Sequence, residues 1–137
     1  MAAHKEPVLD IIVVGAGFAG LYLLYRLRTL GFRTRVIEAA DGVGGTWYWN
    51  RYPGARCDVE SMAYSYSFSE SLEQDWVWTE RYAAQPEILA YANHVTDRFG
   101  LRKDIRFNTS VVRAVFSETD GLWTLASDEG LSFGARF

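Results

Sequence analysis

Apolar residues occupy nearly every position of residues 8–14, and the run stops at Gly15. An almost unbroken β-branched run of this kind predicts a strand that is buried on both faces. Residues 18–30 are apolar or aromatic almost all round, which predicts a helix packed between layers, and Gly31 stands where a left-handed helix cap belongs. Residues 34–38 form a second short β-branched segment. The start of the chain therefore predicts a parallel strand, helix and strand crossover unit and an α/β fold.

The second half of the chain changes from helical to alternating periodicity. Residues 86–99 carry apolar side chains at helical spacing, with a proline in the first turn and Gly100 just past the end, so we expect an amphipathic helix. His94 is expected on the solvated side of this helix. Four β-type segments follow, and the turn at Asp120 and Gly121 joins two of them into a hairpin or meander. The four segments are residues 105–107, 110–117, 122–127 and 131–137.

Residues 41–54 show no periodicity but contain four glycines, one proline and four large aromatic side chains. Ten of the 21 aromatic residues of the chain lie within residues 47–82. So much aromatic surface left in water forfeits about 2 kcal/mol per ring, so a solvated loop is excluded. The segment either packs under another domain or lines a pocket for a large planar ligand, and we favour the pocket.

Length and charge narrow the function classes. The chain has 137 residues, which is about one domain, and a net charge of -3 with scattered cations gives no footprint for nucleic acid. Residues 11–24 are apolar but too short and too glycine-rich for a membrane span. His4, Lys5 and Glu6 show no leader pattern, so we expect a cytoplasmic protein. A single cysteine cannot form an internal disulfide or a thiolate metal cage, and with only two histidines we expect no metal site.

The turn after the first strand has the spacing of a dinucleotide-binding loop. Gly15, Gly17 and Gly20 form a G-x-G-x-x-G that follows a buried strand and opens a helix. The helix N-terminus then presents its positive dipole end and its free N–H groups to a pyrophosphate. Glu38 follows Gly20 by 18 residues, near the spacing at which an acid accepts hydrogen bonds from the ribose. A carboxylate there repels a 2′-phosphate, so this site favours NAD or FAD over NADP.

The next segment carries a more specific signal. Residues 44–58 read GGTWYWNRYPGARCD, followed by SYSF at residues 65–68 and QPEI at residues 85–88. With these motifs the chain resembles the Baeyer-Villiger monooxygenases, a branch of the class B flavoprotein monooxygenases, from Asp10 onward. The likeness is greatest to the members that act on phenylacetone and on steroid ketones.

The resemblance implies that the glycine turn holds FAD and that the following loop lies along it. Arg56, Cys57 and Asp58 would lie where flavin and nicotinamide meet. Asp58 is the implied catalytic residue, because the family's aspartate pairs with an active-site arginine beyond this chain. It also has a structural interpretation as the N-cap of a short turn. Cys57 itself is interpreted as a small, partly buried hydrophobe. The full implied FAD site comprises Gly15, Gly17, Ala19, Gly20, Glu38, Gly45, Thr46, Trp47, Tyr48, Trp49, Arg56, Cys57, Asp58, Tyr64 and, through its main chain, Val111.

The resemblance also implies features of the family's enzymes that residues 1–137 do not contain. They are a second glycine-rich fold for NADPH, a fingerprint in the connection between the domains, and the catalytic arginine. We therefore expect residues 1–137 to be the N-terminal part of a Rossmann-like FAD-binding domain, with a parallel sheet and a β-meander, truncated before its last central strand. The remainder of the polypeptide would be needed, and this chain alone is expected to be inactive.

The implied activity is that of an NADPH- and O2-dependent monooxygenase that converts ketones to esters or lactones through a flavin C4a-peroxide. The nearest alternative is a flavin-containing monooxygenase that oxygenates nitrogen or sulfur. An alternative from another class is a non-catalytic nucleotide-binding module. A yellow, FAD-loaded protein would favour the first two over the third.

Overall fold

A computed structural model of the protein describes residues 7–137. The expectations for His4, Lys5 and Glu6 fall outside these residues. Within the described part, no helix combines the length and the apolar character that crossing a membrane requires.

A parallel three-stranded sheet forms the centre of the fold. It consists of β1 (Ile11–Val14), β2 (Thr34–Ile37) and β3 (Ile105–Arg106), in that order. Helix α1 (Phe18–Thr29) connects β1 to β2, so the crossover unit predicted from the hydrophobic pattern is confirmed. The residues between β2 and β3 carry the candidate binding loop and most of the aromatic side chains.

Burial within this unit is more one-sided than the sequence predicts. Val14 at the end of β1 is 61% exposed, and Leu23 of α1 is 42% exposed, whereas Leu21 and Leu24 are fully buried. The expectation of a strand buried on both faces and of an enclosed helix is therefore wrong for residues 7–137. The reason is that α1 packs on the sheet with one face, while Leu23 points away from it.

Two helices cover one face of the sheet. The second is α4 (Gln85–Arg98), close to the predicted residues 86–99, and Gly100 follows it with a φ of 57°. Its Ala92 joins Leu24 of α1 and Val36 of β2 in one buried cluster. Arg28 of α1 clamps the end of α4, because its guanidinium donates to the carbonyls of Phe99 and Gly100 and to Asp104.

The opposite face of the sheet carries an antiparallel meander, as predicted. Its strands are β4 (Val111–Ser117), β5 (Leu122–Ser127) and β6 (Ser132–Ala135). Ile37 of β2 packs against Leu125 and Phe133 of the meander.

Beyond β6 the chain runs parallel to the open side of β1. The N–H of Leu9 donates to the carbonyl of Gly134, and that of Ile12 donates to the carbonyl of Phe137, both at 2.9 Å. Residues 134–137 thus begin to occupy the place beside β1 where we expected the last central strand.

Two short helices were not predicted, α2 (Thr46–Trp49) and α3 (Glu70–Asp75). With four and six residues they are too short for a helical period to appear in the sequence. For α3 a signal existed, because Ser69 caps the helix by accepting a hydrogen bond from the N–H of Leu72, and two glutamates stand in its first turn.

His94 does not lie on a solvated surface, so that prediction is wrong. Its ring packs against Trp76 with 5.2 Å between the ring centroids, and its side chain is half-buried. Both His94 Nε2 and Trp76 Nε1 are shielded from solvent without a hydrogen-bond partner among the described residues. The cause is that aromatic residues from the segment before α4 cover this side of the helix.

We expect Gly20→Ala to destabilise the fold by about 1 to 3 kcal/mol or more, since the space is already filled. A Cβ at Gly20 would lie 1.9 Å from the carbonyl oxygen of Gly15. Thermal unfolding measures the effect. The matched control is Gly17→Ala, whose Cβ would meet the Cα of Gly45 at 3.6 Å and its N at 4.0 Å, both ordinary contact distances. Equal melting temperatures for the two variants would contradict the close packing of α1 against the glycine turn.

Candidate functional site

The glycine turn adopts the conformation that its sequence predicts. Gly15 has a φ of 98°, a left-handed value that disfavours any other residue, and its N–H donates to the carbonyl of Ile37 at 2.8 Å. Gly17 has an extended φ of -79° and is the N-cap of α1. Neither this backbone conformation nor the neighbouring protein atoms require a glycine at position 17, because a Cβ there would lie 3.6 Å or more from the backbone of Gly45.

The first turn of α1 presents unpaired donors. Within residues 7–137, the N–H groups of Gly17, Phe18 and Ala19 have no hydrogen-bond partner. Ala19 is exposed and Gly17 is half-exposed, so these donors lie at an accessible surface. With the positive end of a 12-residue helix behind them, they form a place for a phosphate group.

A second glycine pair closes on this turn. The N–H of Gly44 donates to the carbonyl of Ala16 at 3.0 Å, and a Cβ at Gly45 would lie 2.9 Å from the Cα of Gly17. Gly45 also has a φ of 55°. The two predicted binding loops therefore meet backbone to backbone, which only glycine permits at this distance.

Glu38 connects the turn to the end of β2. The residue is only 5% exposed, and its carboxylate accepts hydrogen bonds from the N–H of Ala16 at 2.6 Å and of Ala40 at 2.8 Å. Each oxygen uses one of its acceptor positions in this way and keeps a second one. The arrangement fits a ribose whose hydroxyls donate to the same carboxylate. The double backbone contact is a structural role that the sequence spacing did not reveal.

The wall beside the two loops is a small apolar cluster. Trp47 is buried with Cys57, Ala83 and Ile88, and its Nε1 donates to the hydroxyl of Tyr64 at 2.9 Å. Cys57 packs as a small hydrophobe, but with 6% exposure it is more deeply buried than the partly buried position that we expected.

Gln85 fixes this wall from behind. Its buried side-chain amide donates to the carbonyl of Trp47 at 2.5 Å, and its N–H donates to the carbonyl of Ala55 at 2.9 Å. Sequence reasoning missed Gln85 as a site residue. The sequence signal was the QPEI motif at residues 85–88, which supported only the family resemblance.

The other three aromatic-loop residues lie further out. Thr46 is exposed, Trp49 is 63% exposed, and Tyr48 packs edge-on against Trp49 with 4.8 Å between the ring centroids. The hydroxyl of Tyr48 donates to Asp41, and this hydrogen bond raises the pKa of Tyr48. These side chains form a more exposed rim beside the buried Trp47 on the same short helix.

Arg56 and Asp58 differ in how they are held. The Arg56 guanidinium contacts Glu80 and the carbonyl of Tyr82, both at 2.5 Å. Asp58 is exposed, and its carboxylate makes no hydrogen bond within the described part of the chain. Asp58 is not the N-cap of a turn, so that interpretation is wrong. The turn begins instead at Glu60, whose carbonyl accepts from the N–H of Tyr64.

Val111 begins β4 and packs against the cluster that contains Ile37. It follows Thr109, whose N–H donates to the carbonyl of Glu38 at 3.0 Å. The structure therefore brings Val111 to the side of the site where Glu38 lies.

Several of the remaining aromatic residues neither line a ligand pocket nor wait for another domain, the two explanations offered for the aromatic-rich segment, but pack against each other. Tyr66, Trp76 and Trp78 pack around Tyr91 of α4 with 5.0 to 6.0 Å between ring centroids, forming a second core. Tyr66 also donates to the carbonyl of Phe18 at 2.5 Å, and burial raises the pKa of Tyr66 well above its usual value. Much of this aromatic surface is thus buried within the fold, and only part of it is left to line a pocket.

No cluster of His, Cys, Asp or Glu side chains within residues 7–137 has the makings of a metal site.

Residues 13–76 match the family model of a NAD(P)-binding Rossmann-like domain. Among characterised proteins, phenazine N-monooxygenase PhzNO1 of Lysobacter antibioticus is 51% identical, over 100% of this chain and 26% of its own length. Acetone monooxygenase (methyl acetate-forming) of Gordonia sp. strain TY-5 is 47% identical, over 97% of this chain and 25% of its own length. A Baeyer-Villiger monooxygenase of Pseudooceanicola batsensis is 46% identical, over 93% of this chain and 24% of its own length.

Solved structures agree with these relatives. Oxidized steroid monooxygenase bound to NADP superposes with a TM-score of 0.93 and 61% identity, over 96% of this chain and 25% of that one. OTEMO in complex with FAD and NADP superposes with a TM-score of 0.91 and 44% identity, over 97% of this chain and 25% of that one.

The chain spans about a quarter of the length of the relatives it matches. Sequence and structure are similar over that quarter. The predicted family resemblance is confirmed, and this chain is homologous to part of the Baeyer-Villiger monooxygenases, which are oxidoreductases.

Proposed function

We propose that this chain is the FAD-binding part of an NADPH- and O2-dependent monooxygenase that converts ketones to esters or lactones. The observation that carries the proposal is the meeting of two glycine loops beside unpaired helix donors and the carboxylate of Glu38. The names of the relatives, among them a methyl acetate-forming acetone monooxygenase, support the ketone chemistry.

In this proposal the ADP half of FAD lies across the glycine turn. The free N–H groups of Gly17, Phe18 and Ala19 bind the pyrophosphate, and the carboxylate of Glu38 accepts from the ribose hydroxyls. Gly15, Gly20 and Gly45 shape the backbone around it. Val111 lies on the Glu38 side and is proposed to contact the adenine through its main chain.

The bound flavin supplies the redox chemistry and the activation of oxygen, and the protein supplies position and environment. Trp47, Cys57 and Tyr64 form a dry wall that orients the ring system and keeps water away from it. The exposed rim of Thr46, Tyr48 and Trp49 extends this wall. Arg56 and the unpartnered carboxylate of Asp58 lie at the end where we place the nicotinamide and the catalytic arginine.

The wider assignments are also proposals. Residues 1–137 form the first part of the FAD-binding domain, and NADPH is bound mainly by another part of a longer polypeptide. The partners are a small ketone, O2 and the remainder of the same polypeptide, without nucleic acid or membrane. We place the protein in the cytoplasm.

A second candidate activity is the oxygenation of a ring nitrogen. The observation that favours it is the 51% identity to a phenazine N-monooxygenase, a relative with the same fold segment. The aromatic run of residues 44–58 therefore does not by itself separate attack on a carbonyl carbon from attack on a nitrogen.

A product assay with the full-length protein tests the function. The protein is loaded with FAD, supplied with NADPH and O2, and offered cyclohexanone, phenazine or a tertiary amine in separate reactions. The proposal predicts the lactone from cyclohexanone. Formation of an N-oxide but no lactone would contradict the ketone proposal and support the second candidate activity. A protein that binds ADP but retains no FAD would instead be a nucleotide-binding module.

We expect Gly17→Ala to weaken FAD binding by about tenfold or more, which corresponds to about 1.4 kcal/mol. The added methyl occupies the space through which the pyrophosphate approaches the free N–H groups. Titration of the FAD-free full-length protein measures the affinity. The melting temperature without FAD should change little, because the extended backbone at Gly17 accepts alanine. An unchanged affinity would contradict the placement of the pyrophosphate.

We expect Glu38→Gln to weaken FAD binding and also to destabilise the FAD-free protein by about 1.5 to 3 kcal/mol, the contribution of a hydrogen bond to a charged group. The amide replaces one acceptor oxygen by a donor, which then faces the N–H of Ala16 or Ala40. Denaturant unfolding without FAD, together with FAD titration, separates the two effects. A stability equal to that of the parent would contradict the double backbone contact.

A further inference from the structure

Asp58 lies on a short arch, residues 57–61, between two buried residues. Its carboxylate is exposed and makes no hydrogen bond within the described residues, so no contact of its own fixes its position. An unpartnered exposed carboxylate on a loop ordinarily samples many positions. The arch is nevertheless held at both ends by hydrogen bonds, which restrict the backbone position of Asp58.

Cys57 holds the first end of the arch. Its N–H donates to the carbonyl of Ala83 at 3.0 Å, and its Sγ accepts from the N–H of Val59 at 3.4 Å. This side-chain contact two residues along the chain resembles the turn that Asp or Ser makes with its own backbone. It bends the chain directly around Asp58.

Ser61 holds the second end and is only 3% exposed. Its N–H donates to the carbonyl of Arg81, and its hydroxyl donates to the carbonyl of Glu80, both at 2.7 Å. A buried hydroxyl with a well-placed acceptor restricts the backbone more firmly than an exposed contact does. The hydroxyl is not needed to begin the following turn, which Glu60 begins through its carbonyl.

Ion pairs on the surface reinforce the arch but do not explain its position. Glu60 pairs with Arg81, and Arg56 pairs with Glu80, and all four side chains are 44% exposed or more. Exposed pairs of this kind contribute little, because solvent screens them and long side chains lose entropy. The main restraints are therefore the backbone hydrogen bond at each end of the arch and the side-chain contacts of Ser61 and Cys57.

We propose that Ser61 is a positioning residue that fixes the carboxylate of Asp58 for the reaction, acting through the arch and without touching FAD or substrate. This inference rests on the proposed function, which places the carboxylate of Asp58 where the nicotinamide and the catalytic arginine meet, and hydride transfer from NADPH to the flavin is the step that this position would affect. A catalytic group displaced by about 1 Å can lose up to about a hundredfold in rate, so a small relaxation of the arch has a measurable effect.

The test is a double-mutant cycle in the FAD-loaded full-length enzyme. The rate of flavin reduction by NADPH is measured without oxygen, from the loss of flavin absorbance, for Ser61→Ala, Asp58→Ala and the double variant. FAD content is measured for each. The matched control is Ser69→Ala, which removes a serine hydroxyl that caps α3 and does not contact the arch.

We expect Ser61→Ala to slow flavin reduction by about three- to thirtyfold with FAD retained, and to have no further effect in the Asp58→Ala background. Ser69→Ala is expected to lower the melting temperature and leave the rate unchanged. Cys57→Ala loosens the first end, and it should slow reduction in the parent but have no further effect in the Asp58→Ala background, which separates the arch from the contribution of Cys57 to the wall. It serves as the second variant if Ser61→Ala does not fold.

An unchanged rate in Ser61→Ala, or the same slowing with and without Asp58, would overturn the inference. If Asp58→Ala reduces its flavin at the parental rate, the proposed role of Asp58 falls together with the inference. That outcome is separate from failure of FAD binding, which appears as loss of FAD in all variants and the parent alike.

Discussion

The buried carboxylate of Glu38 holds the glycine turn against the end of β2. Its two oxygens accept from the N–H groups of Ala16 and Ala40, and the carbonyl of Ala16 in turn accepts from Gly44. The strand end, the turn and the second glycine loop are thereby joined through backbone groups. The free donors at the start of α1 keep a fixed position relative to Glu38 because of this connection. A dinucleotide would meet a preformed cradle, which reduces the ordering cost of binding.

The predictable part of the fold is the part with long, periodic segments or with glycines in special conformations. The crossover unit, α4 and the meander follow from hydrophobic period, and Gly31, Gly100 and Gly121 have the positive φ values that their turns require. Helix α2 was not predicted, because four residues are too few to show the helical spacing of apolar positions. The burial of His94 was not predicted, because it depends on packing against Trp76, which belongs to a segment before α4.

The glycine turn and Glu38 could be predicted from the sequence, whereas the supports of the Trp47 wall and of the Asp58 arch could not. The spacing of Gly15, Gly17 and Gly20 before Glu38 indicates the dinucleotide chemistry, and the structure brings these residues together. No sequence pattern shows that Gln85 supports the carbonyl of Trp47, because such a contact joins residues 38 positions apart. The same applies to the ends of the Asp58 arch. The glycine turn is a local motif, whereas the wall and the arch depend on tertiary packing.

Competition for the FAD site measures most directly whether Glu38 and the glycine turn bind the ADP half of the cofactor. FAD is titrated into the FAD-free full-length protein in the presence of ADP or of ADP that carries an additional 2′-phosphate. The account predicts that ADP competes with FAD and that the 2′-phosphorylated compound competes far less, because the carboxylate of Glu38 repels the added phosphate. Equal competition by both compounds, or none by ADP, would contradict it.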